Sequence, residues 1–495
     1  MIYRTLPASE AKIFEKLRLL MRRLLPDGSF IRDVSILASG TSVAQLIIIM
    51  SSPILSRLYT PSDFGVFAVF SSILALSTIL STFRYELAIP LPETEEDSLN
   101  LTLLSLLLLV GSTFIAATVT YYFGSKIFSP LGVSSLSALY LVLPIGIFGG
   151  GLFGVLNYLA IRSKRFSPIS VAKVSQTVCG VAFQLFGFKL GHYGLMGGPV
   201  IGQVVSSLSL MKSLLTRDSF KQTSWHGVKE VFNRYRRFPI YSMPDAIANT
   251  ASVQLPAVLF AYFFSPAAAG FYLLADRVLQ LPASVIGSAV GQVFYGEAAA
   301  VRIKEELFTI VTKLYAQLAN IGVVPLFLLI LLGPELFAYI FGDEWRLAGE
   351  LARYMAPWIF LVFVASPFTS LFGILEKQSY GMFFQFMVLG ARAISLLIGG
   401  LHQNLTLAVA LFSLVSVVFW VLFLFWVAIA LRGDIKKLLS SSFTAMIRGV
   451  FAIFPLGLLF LLPQDAPYFV TVLICIFTFL TITRHYISLI MEVKR

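Results

Sequence analysis

A chain of 495 residues with 57% hydrophobic and only 13% charged side chains holds about half the charge of an ordinary soluble protein, which excludes a water-soluble globular domain. The net charge of +12 would suggest nucleic acid as a partner in a soluble protein; beside a mean hydropathy of +0.85 it points instead to basic loops at a membrane surface. Cys179 and Cys475 both lie inside apolar runs, and His192, His226, His402 and His485 are scattered, so neither a disulfide framework nor a metal or cofactor site is expected.

Residues 1–33 contain no cleavable signal pattern, and 9–25 predict a short amphipathic helix on the cytoplasmic membrane surface. Long apolar runs then follow, such as "LTLLSLLLLVGSTFIAATVTYYFG" at 101–124. Hydropathy and breaker residues predict about fourteen spans. The first six lie near 34–57, 62–86, 98–123, 136–161, 168–189 and 194–215. Another six lie near 240–263, 267–292, 308–333, 351–376, 381–401 and 405–431, and the last two near 446–463 and 467–489.

The loops alternate in charge, which tests the span count independently of hydropathy. Arg162, Lys164 and Arg165, then Lys212 through Arg237, then Arg302 and Lys304 fall on one side, as do Arg432, Lys436 and Lys437. The opposite loops hold only Arg57, Lys126, Lys189, Arg346 and Arg353. By the positive-inside rule both termini are cytoplasmic. Arg234, Arg236 and Arg237 close the long loop at 216–238, where they anchor the topology and attract anionic lipid headgroups.

That loop divides the chain. Pro61, Gly65, Leu74 and Leu76 recur as Pro266, Gly270, Leu279 and Leu281, an offset of 205, each set opening the second span of its half. Six spans separate the copies, so the halves share one orientation, as in transporters built from parallel repeats with the substrate between them. The expected architecture is an all-α polytopic membrane protein. Two six-helix lobes, 34–215 and 239–432, would be joined by the 216–238 loop and followed by an appended segment at 433–495. No phosphate-binding loop, nucleophilic triad or selectivity filter is present, so an ATPase, an enzyme and a pore-loop channel are not expected.

Charge inside a span is costly and marks function. Lys173, Arg277 and Arg392 are the cations so placed; either each makes a structural ion pair between helices or snorkels at a span end, or they line a cavity that favours an anionic substrate, phosphate above all. Asp276 points about 100° away from Arg277 on a helix and is not its same-face partner. Arg84 and Glu86 at i and i+2 do not face each other on a helix; with Asp245 they are candidates for gating or ion coupling. Asn157, Asn249, Gln254 and Gln280 suit sugar hydroxyls, or equally hydrogen bonds between helices.

Several stretches resemble a family: "ILSRLYTPSDFGVFAVF" at 54–70, "FRYELAIPLP" at 83–92, "NYLAIRSKRF" at 157–166, "RYRRFPIYSMPDAIANTASVQLP" at 234–256 and "AAAGFYLLADRVLQLPASVIGSAVGQVFY" at 267–295. They are similar to Wzx-type polysaccharide flippases of the multidrug/oligosaccharidyl-lipid/polysaccharide exporter superfamily. The resemblance implies two lobes around a central cavity, alternating access, and an undecaprenyl-pyrophosphate-linked oligosaccharide moved from the cytoplasmic to the outer leaflet of the bacterial inner membrane. Membrane lipids, a coupling ion (H+ or Na+) and the polymerase or glycosyltransferase machinery would be its partners. The related lipid II flippase carries a cavity-facing arginine in an Ala-Asp-Arg context, here Ala275-Asp276-Arg277; its first-span arginines have no counterpart, since 34–56 is uncharged. A drug/cation antiporter of the same superfamily and a non-transporting scaffold of an envelope-polymer assembly remain open alternatives.

Overall fold

A computed structural model describes residues 28–131, 139–215, 223–287, 303–458 and 468–494, with isolated positions between 288 and 302. The amphipathic helix expected at 9–25 lies outside the described residues. All regular structure among the described residues is helical. Twelve stretches of helix are long and apolar enough to cross a bilayer, so the chain is a multi-pass membrane protein.

The first half comprises α1 (Gly28–Leu58), α2 (Pro61–Ser81), α3 (Glu95–Phe128), α4 (Leu139–Arg162), α5 (Phe166–Phe186) and α6 (His192–Leu214). A linker helix, α7 (Trp225–Arg234), sits inside the predicted 216–238 loop. The second half comprises α8 (Met243–Phe263), α9 (Pro266–Leu279), α10 (Lys304–Phe341), α11 (Arg346–Ala365), α12 (Gln378–Leu401) and α13 (Leu405–Ala430). Two more helices follow, α14 (Ile435–Gly457) and α15 (Tyr468–Lys494).

Several predicted boundaries move. The span expected at 62–86 ends at Ser81, because Phe83 and Arg84 take left-handed backbone angles and turn the chain. The span expected at 267–292 is the 14-residue α9; Pro282, which lacks an N–H, precedes a π-helical turn at Ala283–Gly287. The span placed at 308–333 runs from Lys304 to Phe341, and that placed at 446–463 begins at Ile435. Hydropathy sees only the apolar part of a helix that continues beyond the hydrocarbon.

Helix starts are fixed locally. Thr60 and Asp63 form a reciprocal capping box, with Thr60 N donating to Asp63 at 3.1 Å and Asp63 N to Thr60 Oγ1 at 3.2 Å, and Pro61 follows in the first turn. Ser265 and Pro266 repeat the device, the Ser265 hydroxyl accepting from Ala268 N at 3.2 Å. Asn404 does the same for α13, accepting from Leu407 N at 2.9 Å. Each such cap is worth about 1 kcal/mol.

In the first half α5 packs on α1 and α6, and α4 on α3 and α6. In the second half α11 packs on α10 and α13, and α12 on α8 and α13. α14 lies along α10 and carries α15, whose His485 Nε2 is 2.9 Å from Asn320 O on α10. The halves meet chiefly where α2 crosses α9. A Cβ built on Gly65 would collide with Pro266 O, and one on Gly270 with Pro61 O. The repeated residues are therefore the crossing itself: each copy supplies the glycine that admits the other's backbone. In a bilayer, where lipid is as apolar as leucine, such close approach is what holds helices together.

Candidate functional site

The α2–α9 crossing joins the halves at their helix ends, where α1 and α10 finish and α2, α9 and α11 begin. Around it Ser56 Oγ donates to Phe341 O at 3.0 Å, Trp345 Nε1 to Ser56 O at 2.9 Å, and Arg57 Nη2 to Tyr339 O at 3.2 Å. The Trp345 ring packs edge-on against Phe64 at 4.9 Å and Phe271 at 5.9 Å, one from each half. These contacts tie α1 and α2 to α9, α10 and the link between α10 and α11.

Further along, each half holds a chamber. The first, of about 380 Å³, lies between α2, α4 and α6 and is walled by small residues including Thr78, Gly150 and Gly154, with Tyr158 and Gln203. Arg84 and Glu86 stand at its rim, and Arg84 Nη1 lies 3.4 Å from Glu86 Oε1. This corrects the sequence expectation that the two do not face each other: they sit on a 3-10 turn entered through left-handed Arg84, not on a continuous helix. Glu86 is buried and accepts from the Thr82 hydroxyl. Burial pushes its carboxyl above the usual carboxylate range, outweighing the Thr82 hydrogen bond and the Arg84 charge, which pull it down. Arg84 Nε and Gln203 Oε1 are buried without a partner.

The second chamber, of about 450 Å³, lies between α8, α9, α11, α12 and α13. Arg392 is buried in its wall, donating from Nε to Ser416 Oγ at 3.0 Å and from Nη1 to Ser252 Oγ at 3.2 Å. Its guanidinium rests on the rings of Phe412 at 4.9 Å and Trp358 at 5.4 Å. Asp276 and Gln280 face the same space, with Gln280 Nε2 donating to Asp276 Oδ1 at 2.7 Å. Asn249 and Gln385 pair at 3.1 Å near the exposed Asp245.

The remaining sequence candidates are distributed. Arg277, half-buried on α9, lies 5.8 Å from the Phe67 ring on α2, at the seam between the halves. Among the described residues it forms no ion pair. Gln254 also lies at the seam, accepting from Ser72 Oγ at 3.3 Å. Lys173 Nζ donates to Thr41 on α1 at 3.3 Å and lines neither chamber; nor does Asn157. The three cations therefore do not form one cluster: Arg277 is at the seam, Arg392 in the second half and Lys173 in the first.

Arg234, Arg236 and Arg237 are exposed, and Arg234 pairs with Asp97 at 3.6 Å. Helix α7 docks on the first half through Asn100 Oδ1, which accepts from Ser224 N at 3.1 Å, and through Tyr85, whose hydroxyl donates to Phe232 O at 3.1 Å. The basic linker is thereby fastened to the turn that carries Arg84 and Glu86. Sequence reasoning missed α7 and also the aromatic wall of Trp358, Phe412 and Trp420. Aromatic residues are frequent everywhere in this chain, so only their shared orientation singles these out.

The class defined by this architecture is an all-helical, multi-pass membrane protein with the fold of the multidrug/oligosaccharidyl-lipid/polysaccharide exporter superfamily. Residues 54–349, more than half of the chain, match the family model described as "Polysaccharide biosynthesis protein". The chain belongs to that family. It is 23% identical over 316 residues to the succinoglycan biosynthesis transport protein ExoT of Rhizobium meliloti (strain 1021), and spans about 61% of that relative's length and 61% of its own. Among solved structures it is similar to the lipid II flippase MurJ in an inward closed conformation, with TM-score 0.63 and 14% identity over 98% of this chain and 100% of that one. An inward-facing multidrug resistance MATE family transporter matches with TM-score 0.59 and 15% identity, over 82% of this chain and 98% of that one. At these identities the likeness to solved structures is one of fold.

Proposed function

We propose that the protein is a flippase, a carrier rather than an enzyme. It moves an undecaprenyl-pyrophosphate-linked oligosaccharide from the cytoplasmic to the outer leaflet of the bacterial inner membrane for surface polysaccharide synthesis. The observation that carries this reading is Arg277: an arginine without an ion-pair partner among the described residues, at the seam between two halves that cross closely. A half-buried guanidinium with no carboxylate within salt-bridge distance among the described residues is costly to desolvate and suits a phosphate that arrives with the substrate. The lipid tail remains in the bilayer while the seam shelters pyrophosphate and sugar from hydrocarbon, where bare charge is prohibitive. The relatives support the substrate class, one being a succinoglycan transport protein and one fold neighbour a lipid II flippase.

The positive-inside pattern assigns the basic loops and both termini to the cytoplasm, so the α2–α9 crossing faces outward, where it would act as the seal. Alternating access would then break the α2–α9 crossing and close the opposite end, with Arg84, Glu86 and Asp245 at that end available for gating or for coupling to H+ or Na+. Exposed Arg234, Arg236 and Arg237 draw anionic headgroups to the cytoplasmic entrance. Polymerase and glycosyltransferase machinery would supply and consume the glycan.

The test is leaflet accessibility of a lipid-pyrophosphate-linked oligosaccharide in vesicles containing the wild type or Arg277→Ala. Movement by the wild type alone supports the reading, while equal movement by both makes Arg277 structural and relocates the phosphate site. A second reading, a drug/cation antiporter, rests on the fold shared with the multidrug resistance MATE family transporter. Export of cationic dyes without movement of any glycolipid would establish it.

A further inference from the structure

We propose that the chamber between α8, α9, α11, α12 and α13 is a sugar-ring subsite that selects which glycan is moved, separate from the arginine at the seam. The inference rests on the flippase reading for the identity of the glycan, but the chemistry of the chamber is independent of it. Three ligand classes are conceivable for an aromatic, polar pocket of about 450 Å³, a size within the range of small-ligand sites.

An organic cation is disfavoured because the cation–π faces are taken. Arg392 lies over Phe412 and Trp358, and a second cation on those rings would meet its charge. An anion is disfavoured because Arg392 is already engaged by Ser252 and Ser416, and because the carboxylates of Asp276 and Asp245 also face the space. A neutral polyol suits what remains. Flat aromatic faces, Trp420 among them, match the apolar C–H faces of a pyranose, and the Asp276–Gln280 and Asn249–Gln385 pairs offer acceptors and donors at its rim.

Trp358 supplies the decisive detail. Its side chain is 95% buried, it lines the chamber, and its indole Nε1–H has no hydrogen-bond partner. That N–H is shut off from the empty chamber, so a sugar hydroxyl or acetamido carbonyl meets it only with a small shift of the ring, which relieves the cost of leaving it unsatisfied. Sites built on such hydrogen bonds discriminate strongly against analogues that lack the matching group, which is how a carrier would reject the wrong repeat unit. In the occupied state one sugar ring stacks in the chamber, held from Trp358 and the two amide pairs, while the pyrophosphate stays near Arg277.

The test uses the full-length protein in detergent, reading tryptophan fluorescence on titration with free disaccharides of neutral hexoses and of N-acetylhexosamines. Inorganic pyrophosphate and tetraphenylphosphonium serve as the rival probes. A saturable response to at least one disaccharide is expected, weakened about tenfold by Trp358→Phe, which keeps a ring and removes only the N–H donor. Trp420→Leu should weaken it independently of that hydrogen bond. No saturable response to any disaccharide overturns the proposal, as does a response unchanged in both variants or one given only by pyrophosphate or tetraphenylphosphonium. Leaflet transport is measured alongside. If the wild type moves the lipid-linked glycan but the variants bind sugar normally, the subsite fails and the flippase reading stands. If disaccharides bind as expected but no glycolipid is moved, the subsite stands and the flippase reading fails.

Discussion

Glu86 is buried beneath a turn that also holds Arg84, and its carboxyl is shifted upward chiefly because burial disfavours the charge. A group whose pKa is higher folded than unfolded contributes stability that is complete below its unfolded pKa and is lost as pH rises through the folded value. The thermal unfolding temperature of the wild type in detergent should therefore fall as pH climbs through the range just above an ordinary carboxylate. Glu86→Gln, neutral throughout, should flatten that segment of the profile; parallel profiles would mean that Arg84 and Thr82 keep Glu86 ionised. The two mid-membrane arginines separate in a comparable way. Arg392 is held by two serine hydroxyls and two rings, so Arg392→Lys, which lacks the planar fork, should cost on the order of 1–3 kcal/mol in unfolding measurements. Arg277→Lys should change stability by less than that, because no ion pair is lost, and should show its effect in transport. In the sequence both are simply arginines inside apolar spans. Their difference depends on which neighbours reach them from other helices, and no spacing within one helix encodes that.

At the scale of elements, the sequence signal of greatest value was the offset of 205 that aligns Pro61 and Gly65 with Pro266 and Gly270. It marks a duplicated span start, and in three dimensions the two copies pack directly against each other. Gly65→Ala should destabilise by about 2 kcal/mol, since its methyl group would meet Pro266 O and the helices would have to part. Gly111→Ala, on α3 with nothing within 4 Å of the added carbon, should be neutral or stabilising by up to about 1 kcal/mol. Equal effects of the two substitutions would show that the close crossing contributes nothing. Long apolar runs made the helices legible. Their ends were less so: "FRYELAIPLP" stays largely apolar through the turn after Ser81, and hydropathy has no term for the left-handed residues that end α2. The 38-residue α10 was shortened in the sequence reading for the opposite reason, its first turn being charged with Lys304, Glu305 and Glu306. The aromatic chamber was illegible for a third reason, because a ring facing lipid and a ring facing a cavity have the same hydropathy.

At the scale of the whole molecule, a carrier must be able to exchange one closed end for another, so the seal should be strong enough to populate one state and weak enough to break. Its polar part consists of a few hydrogen bonds around Ser56, Phe341 and Trp345, and its apolar part includes the Phe64–Trp345–Phe271 stack. Trp345→Phe keeps a ring against Phe64 and Phe271 but removes the indole donor to Ser56 O. The loss of one hydrogen bond made only in the sealed state, roughly 1 kcal/mol, shifts the balance between sealed and open populations about fivefold. Phe341 is buried at the seal, and Cys179 and Cys475 are unpaired and can be replaced by alanine to give a clean background. A cysteine introduced there by Phe341→Cys should react slowly with a membrane-impermeant thiol reagent added from the outer face, and about fivefold faster once Trp345→Phe is added. The same acceleration should appear when the lipid-linked glycan is supplied, if the substrate drives the lobes apart. An unchanged labelling rate with both would mean that the crossing is permanent and that the halves do not rock about it.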